Sequence, residues 1–280
     1  MKANRFRTEG NGQLWTGEKI VVTFNVLGQL EVIAGGRDLA PTAPRVKAVL
    51  ALLALNANRV VSTDTLFAEL WDDRPPRSAA TTLQTYVYQL RRILDSLPQG
   101  ERRCDIVTKA PGYELRTGRT DAERFLALAE QGRCLWRQGH VAEAAERLRQ
   151  ALGLWRGQAL ADINLGPELT IHKAHLCELR LRVLELRIQA DARLGRHQEL
   201  IPELRSLVAE HRLNERLHAQ LIDSLRAAGY RAEALRAYQD LRRVLRTELG
   251  LEPAPEVQRL QAEVLSGVHG GSVSALLRTG

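Results

Sequence analysis

Apolar residues change their spacing along the chain, and each change marks an element. From Lys19 to Leu39, KIVVTFNVLGQLEVIAGGRDL alternates, is rich in Val, Ile and Phe, and is punctuated by Gly28 and Gly35-Gly36; this predicts a small antiparallel sheet. PRVKAVLALLALNANRVVS then predicts a helix from about Pro44 to Asn56. Ser62 or Thr63 is placed to cap a second short helix, TDTLFAELW, which ends in the breakers Asp72-Asp73 and Pro75-Pro76. Ser78 is the expected cap of a third helix that runs to about Ser96 and stops before Pro98. CDIVTKAPGYELR follows as strand, turn at Lys109 to Gly112, and strand, with Pro111 and Gly112 supplying the turn.

The third helix has two unlike faces. At about 100° per residue, Leu83, Val87, Leu90 and Leu94 share one side, and Ser78, Thr81, Thr85, Tyr88, Gln89 and Arg92 lie opposite. The aliphatic side suits packing on the other two helices. The polar side holds hydroxyls, an amide, a phenol and a guanidinium, groups that reach phosphates, thymine methyls and guanine edges. A strand cluster, three helices and a closing hairpin predict a winged helix-turn-helix, whose third helix enters the major groove while the hairpin lies against backbone or minor groove.

After Thr120 the pattern becomes almost wholly helical, rich in Ala, Leu, Arg and Glu. GHVAEAAERL from Gly139, GRHQELIPEL from Gly195 and GYRAEALRAY from Gly229 each place Glu four residues after Gly. Gly195 and Gly229 are 34 residues apart, the tetratricopeptide period, and the 56 between Gly139 and Gly195 is that period plus a 22-residue insertion around LWRGQALADINLGPEL. Paired helices that turn at each Gly would stack along an Ala/Leu seam and present a surface to another protein. The expected fold class is thus mainly α with a small antiparallel β component. Its expected parts are a flexible arm over 1–18, a winged helix-turn-helix over 19–118, a tetratricopeptide-like helical domain over 119–266 and a flexible tail over 267–280.

Charge sharpens the reading of the first half. The 280-residue chain has a net charge of +7, but residues 74–119 alone hold 9 basic and 4 acidic side chains. Arg77, Arg91, Arg92, Arg102, Arg103 and Lys109 surround the polar helix face, which favours a polyanionic partner over mere solvation. Composition narrows the remaining possibilities. A hydrophobic content of 44% fits a globular protein, the longest aliphatic stretch, AVLALLAL, is far too short to span a bilayer, and no apolar run follows the first basic residues. A cytoplasmic protein without membrane contact is expected. Cys104, Cys134 and Cys177 are widely spaced and form no CxxC pair, so three reduced thiols are expected. His172, His175 and Cys177 in IHKAHLC have no second cluster to complete a metal site, and no metal or other cofactor is expected. Walker A, strand-linked GxGxxG, GxSxG and HExxH motifs are absent from the sequence, so no catalytic residues and no enzymatic activity are expected.

Several segments in fixed order resemble a known family. FNVLGQLEV, LLALNANRVVSTDTLFAELWDDRPP, LQTYVYQLRRIL and APGYELR are similar to the OmpR-type DNA-binding domain of the Streptomyces antibiotic regulatory proteins. AERFLALAEQG, ALGLWRGQALADI, LRLRVLELRIQADARLGRH and AEALRAYQDLRRVLRTELGLEPAPEVQRLQ resemble that family's bacterial transcriptional activation domain. The resemblance covers about residues 20–265 and implies the short, two-domain form, without the nucleotide-binding module of larger members. It further implies a cytoplasmic activator that binds direct repeats upstream of promoters, commonly in secondary-metabolite clusters, and recruits RNA polymerase holoenzyme.

Within that frame Thr81, Thr85, Tyr88 and Arg92 are expected to read bases, with Arg92 the candidate for guanine. Arg77, Ser78, Gln89, Arg91 and Lys109 are expected to hold phosphates or flank the minor groove. Arg91 falls nearer the packed side of the helix than Arg92, and Tyr88 has the hairpin as an alternative neighbour. Two protomers side by side on repeats one helical turn apart would form a homodimer on double-stranded DNA. The residues alone leave two other readings open: a helical-repeat adaptor whose winged domain binds protein or DNA without sequence preference, and a repressor using the same DNA site.

Overall fold

The alternating stretch near the N-terminus does form a sheet in the computed structural model, which describes residues 22–72, 74–96, 104–118 and 120–266. Strands β1 (Thr23–Asn25), β2 (Glu31–Ala34) and β3 (Arg37–Asp38) pair antiparallel in that order, with Phe24 opposite Val32. Residues 19–21, the expected arm and the expected tail lie outside the described residues.

Helix α1 (Pro44–Leu55) starts with Pro at its first turn, where a missing N–H costs nothing. It is apolar on nearly every side and is correspondingly buried from Val46 to Ala54, except for half-buried Lys47. Strand β4 (Val60–Ser62) leads into α2 (Thr63–Trp71), whose cap is Ser62: its hydroxyl accepts the N–H of Thr65 at 3.0 Å. Helix α3 (Ala79–Asp95) buries Leu83, Val87, Leu90 and Leu94, the side expected from the period, at about 1.5–3 kcal/mol each. Ser78 is the N-cap residue by position, but its side chain makes no capping bond. Its backbone at φ −88°, ψ 7° departs from the extended form in which a serine hydroxyl reaches the following N–H groups.

Strands β5 (Asp105–Lys109) and β6 (Gly112–Arg116) form a hairpin across a two-residue turn, Ala110-Pro111, with a cis peptide bond. β6 also pairs with β4, so the second sheet has the order β4-β6-β5. Gly112 is required there, because a Cβ would lie 1.9 Å from the carbonyl oxygen of Val61.

Among the described residues seven helices follow: α4 (Asp121–Arg137), α5 (Val141–Leu152), α6 (Pro167–Arg193), α7 (His197–Glu210), α8 (Glu215–Ala227), α9 (Arg231–Leu249) and α10 (Pro255–Ser266). The repeat read from the sequence corresponds to the pairs α4–α5, α6–α7 and α8–α9. Gly139, Gly195 and Gly229, at the three tight turns, have φ of 86°, 79° and 85°, a region that favours glycine. Helix α4 opens with a full capping box, in which Thr120 and Glu123 satisfy one another's backbone N–H groups.

The hydrophobic interior divides inside a helix. One continuous core runs from Phe24, Leu52, Leu83 and Leu115 through Phe125, Leu148 and Leu169 to Val183. A second runs from Ile188 through Leu217 and Leu241 to Val264. The winged half therefore shares its core with α4, α5 and the first part of α6. Asp191, almost fully buried near the second core, accepts from Arg149, Arg187 and Arg196 and links α5, α6 and the turn before α7.

Candidate nucleic-acid interface

Because Leu83, Val87, Leu90 and Leu94 anchor α3 inward, the opposite stripe is forced outward. Ser78, Thr81, Thr85, Gln89 and Arg92 are exposed, and Tyr88 is 61% exposed, so its ring stands in solvent and not against the hairpin. Arg77, just before the helix, is exposed as well. The Thr85 hydroxyl donates to the carbonyl oxygen of Thr81 at 3.0 Å, leaving its methyl group and an acceptor lone pair to face a partner. This stripe combines one cation, one aromatic ring and short polar groups on a rigid helix.

Arg91 is engaged differently. It is half-buried, and its Nε donates to the carbonyl oxygen of Ile106 while Nη2 donates to Thr108 Oγ1, both at 2.8 Å. It thereby ties α3 to β5 at the strand that ends in Lys109. The tip of the hairpin is tied from the other side: the Thr63 N–H and hydroxyl both donate to the carbonyl oxygen of Pro111, at 3.0 and 2.8 Å. Sequence reasoning missed Thr63 and Thr108 in these roles. The only available sign of the second was its place two residues after the inward-facing Ile106.

Lys109 is exposed, with its Nζ 3.3 Å from Glu114 Oε2, and Arg116 approaches the same carboxylate at 3.5 Å. Burial pushes the Glu114 carboxyl up, but the hydrogen bond and charge of Lys109 and the charge of Arg116 outweigh it, so its pKa is lowered. Asp105, Lys109, Glu114 and Arg116 leave the hairpin with no net charge; Lys109 is the exposed cation beside its turn, while its partner carboxylate is largely buried. Arg102 and Arg103, expected in the same basic ring, lie outside the described residues.

His172, His175 and Cys177 are all on α6, where His172 Nε2 lies 3.5 Å from Asn56 Nδ2. Among the described residues no group of three or more His, Cys, Asp or Glu is arranged to hold a metal ion. No helix among them is long and apolar enough to cross a membrane.

Comparison with known proteins assigns both halves. The family model described as "Bacterial transcriptional activator domain" matches residues 120–265, and that described as "Transcriptional regulatory protein, C terminal" matches residues 38–115. The regulatory protein DnrI of Streptomyces peucetius is 42% identical over 248 residues, covering 86% of this chain and 91% of that protein. The regulatory protein AfsR of Streptomyces coelicolor is 36% identical over 251 residues, which are 89% of this chain and 24% of that longer protein. A solved structure of Mycobacterium tuberculosis EmbR, in complex with a low-affinity phosphopeptide, superposes with a TM-score of 0.85 at 29% identity, covering 91% of this chain and 68% of that one.

Proposed function

Since the chain belongs to the Streptomyces antibiotic regulatory protein family of transcriptional regulators, we propose that it activates transcription by binding direct repeats upstream of a promoter and holding RNA polymerase holoenzyme there. A secondary-metabolite cluster is the proposed target, and the cytoplasm the proposed compartment. The observation that carries the reading is the exposed polar stripe on α3, backed by a fully apolar face and flanked by a hairpin that carries Lys109 beside its turn.

In this proposal α3 lies in the major groove. Arg92 donates its paired N–H groups to a guanine edge, while Thr81, Thr85 and Tyr88 contact neighbouring bases or methyl groups. Arg77, Ser78 and Gln89 hold phosphates and set the register, and Lys109 leaves Glu114 to follow the backbone or the minor groove. Arg91 works mainly as the brace that aims the hairpin, because two of its nitrogens are spent on β5. Two protomers on adjacent repeats bring their helical domains side by side, and together these form the surface that meets polymerase. No step in this scheme requires catalysis or a cofactor.

Selection of bound duplexes from a random pool by the purified protein tests the proposal. Enrichment of a repeated half-site with a period of about one helical turn, 10–10.5 bp, is the expected result. A pool that stays random, with binding that simply tracks salt, would leave the stripe as a general anion-binding face.

A further inference from the structure

The insertion that interrupts the helical repeat is the part of the chain that grips the winged half. Residues 153–166, between α5 and α6, meet the loop joining β1 to β2, whose backbone groups bond to them and to the start of α4. The N–H groups of Arg156, Leu160 and Ala161 donate to the carbonyl oxygens of Leu27, Val26 and Gly28 at 2.8, 3.1 and 3.1 Å. In return the N–H of Leu30 donates to Asp162 Oδ1 at 2.8 Å, and those of Val26 and Leu27 donate to the two oxygens of Asp121, at the start of α4, at 2.8 and 2.9 Å. Side chains close the clasp. Arg156 reaches Gln29 O at 3.2 Å and Glu31 at 2.5 Å, and Lys47 of α1 is ion-paired with Asp162.

A second grip lies elsewhere on the winged half. Glu69 of α2, 5% exposed, accepts the N–H groups of Gly166 and Leu169 at 2.7 and 2.9 Å and so caps α6 from another domain. The approach is close enough that a Cβ on Gly166 would stand 2.1 Å from the Glu69 carbonyl oxygen. One anchor would leave a pivot. Two anchors, with a continuous apolar core between them, leave no free axis about which the helical domain could turn.

We propose that this double clasp is a positioning device: Asp121, Arg156, Asp162 and Glu69 fix the direction in which the helical domain leaves the DNA, so that activation depends on the helical phase between binding site and promoter. The inference rests on the DNA-binding activator reading given above. It adds that these residues, none of them on the α3 stripe, govern how far transcription tolerates a change of face on the duplex. Flexibly joined domains would reach polymerase from either face, as a loose linker allows.

The test uses the full chain, the half-sites recovered by selection and purified polymerase, with the sites moved upstream of a weak promoter by insertions of about 5 and about 10 bp, half a turn and a full turn. Wild-type protein should lose about tenfold in transcript at the half-turn insertion, equivalent to about 1.4 kcal/mol of contact, and regain most of it at the full turn. The triple variant Glu69→Ala/Arg156→Ala/Asp162→Ala, which breaks side-chain bonds in both grips, compared at equal site occupancy, should show nearly the same transcript level at both insertions. Should that variant fold poorly, Glu69→Gln/Arg156→Ala, which weakens both grips with less loss of packing, should show a clearly smaller drop at the half-turn insertion than wild type. A folded variant that occupies the site as wild type does and retains the wild-type phase dependence would overturn the positioning role. So would a wild-type protein that activates equally at every spacing. A wild-type protein that binds no preferred site would instead overturn the functional reading on which the inference stands.

Discussion

Replacing Arg91 by Ala separates a structural brace from a phosphate anchor. The guanidinium makes two 2.8 Å hydrogen bonds, to Ile106 O and to Thr108 Oγ1. Hydrogen bonds from a charged donor are worth about 1.5–3 kcal/mol when enclosed. Ile106 is buried, so its carbonyl partner is not easily replaced, whereas Thr108 is exposed and water takes over that bond. Together the two should contribute about 2 kcal/mol, roughly a thirtyfold change in the folding equilibrium. The hairpin keeps its pairing to β4 and its anchor at Pro111, so Lys109 stays near its place in the variant. Urea unfolding measures the first quantity, and DNA affinity across a salt series measures the second. A brace predicts a loss of about 2 kcal/mol in stability with an unchanged slope of log K against log salt. An unchanged unfolding midpoint with a slope reduced by about 0.9, the signature of one lost phosphate contact, would refute the reasoning.

Other substitutions probe the remaining parts. Arg92→Ala should relax sequence preference by about 1–3 kcal/mol, whereas Lys109→Ala should weaken specific and random DNA alike, as read by competition binding on both. Gly166→Ala should lower stability by about 3 kcal/mol in urea unfolding, because the new Cβ drives α2 from α6 and stretches both bonds to Glu69. Asp162 is subject to burial, which raises its pKa, but its bonds to Lys47 and Leu30 prevail and hold it below the ordinary 3.8. Its stabilising contribution is therefore complete above that value and is lost as pH falls through the folded-state pKa. Asp162→Asn should cost about 1 kcal/mol at neutral pH, and that gap should close as unfolding is followed to pH values below 3.8; a gap constant with pH would contradict the assignment.

What could be read from the sequence was periodic. The two faces of α3 repeat at the helical period, so the burial of Leu83, Val87, Leu90 and Leu94 and the exposure of the opposite stripe were both expected. The glycines of the helical repeat were legible because a tight turn between paired helices needs positive φ at a fixed spacing. What could not be read depends on distant partners. Strand β4 is only three residues long and exists because β6, some fifty residues later, pairs with it. The clasp consists of carboxylates and backbone groups 94 to 132 residues apart, and in the sequence it is visible only as a break in the repeat. Arg91 sits beside Arg92 in sequence, yet the direction of its side chain follows from the position of Ile106 and Thr108, which no local pattern specifies. Ser78 looked like a cap by residue type, but the turn before α3 holds its backbone outside the capping conformation.

The most direct test of the central claim is a footprint of the purified protein on the regions upstream of its own gene and neighbouring genes at near-physiological salt, with Arg92→Ala alongside. The account predicts protection of repeated half-sites one helical turn apart, just upstream of a promoter, and loss of that protection in the variant. Uniform, salt-sensitive coverage that the variant reproduces would contradict it.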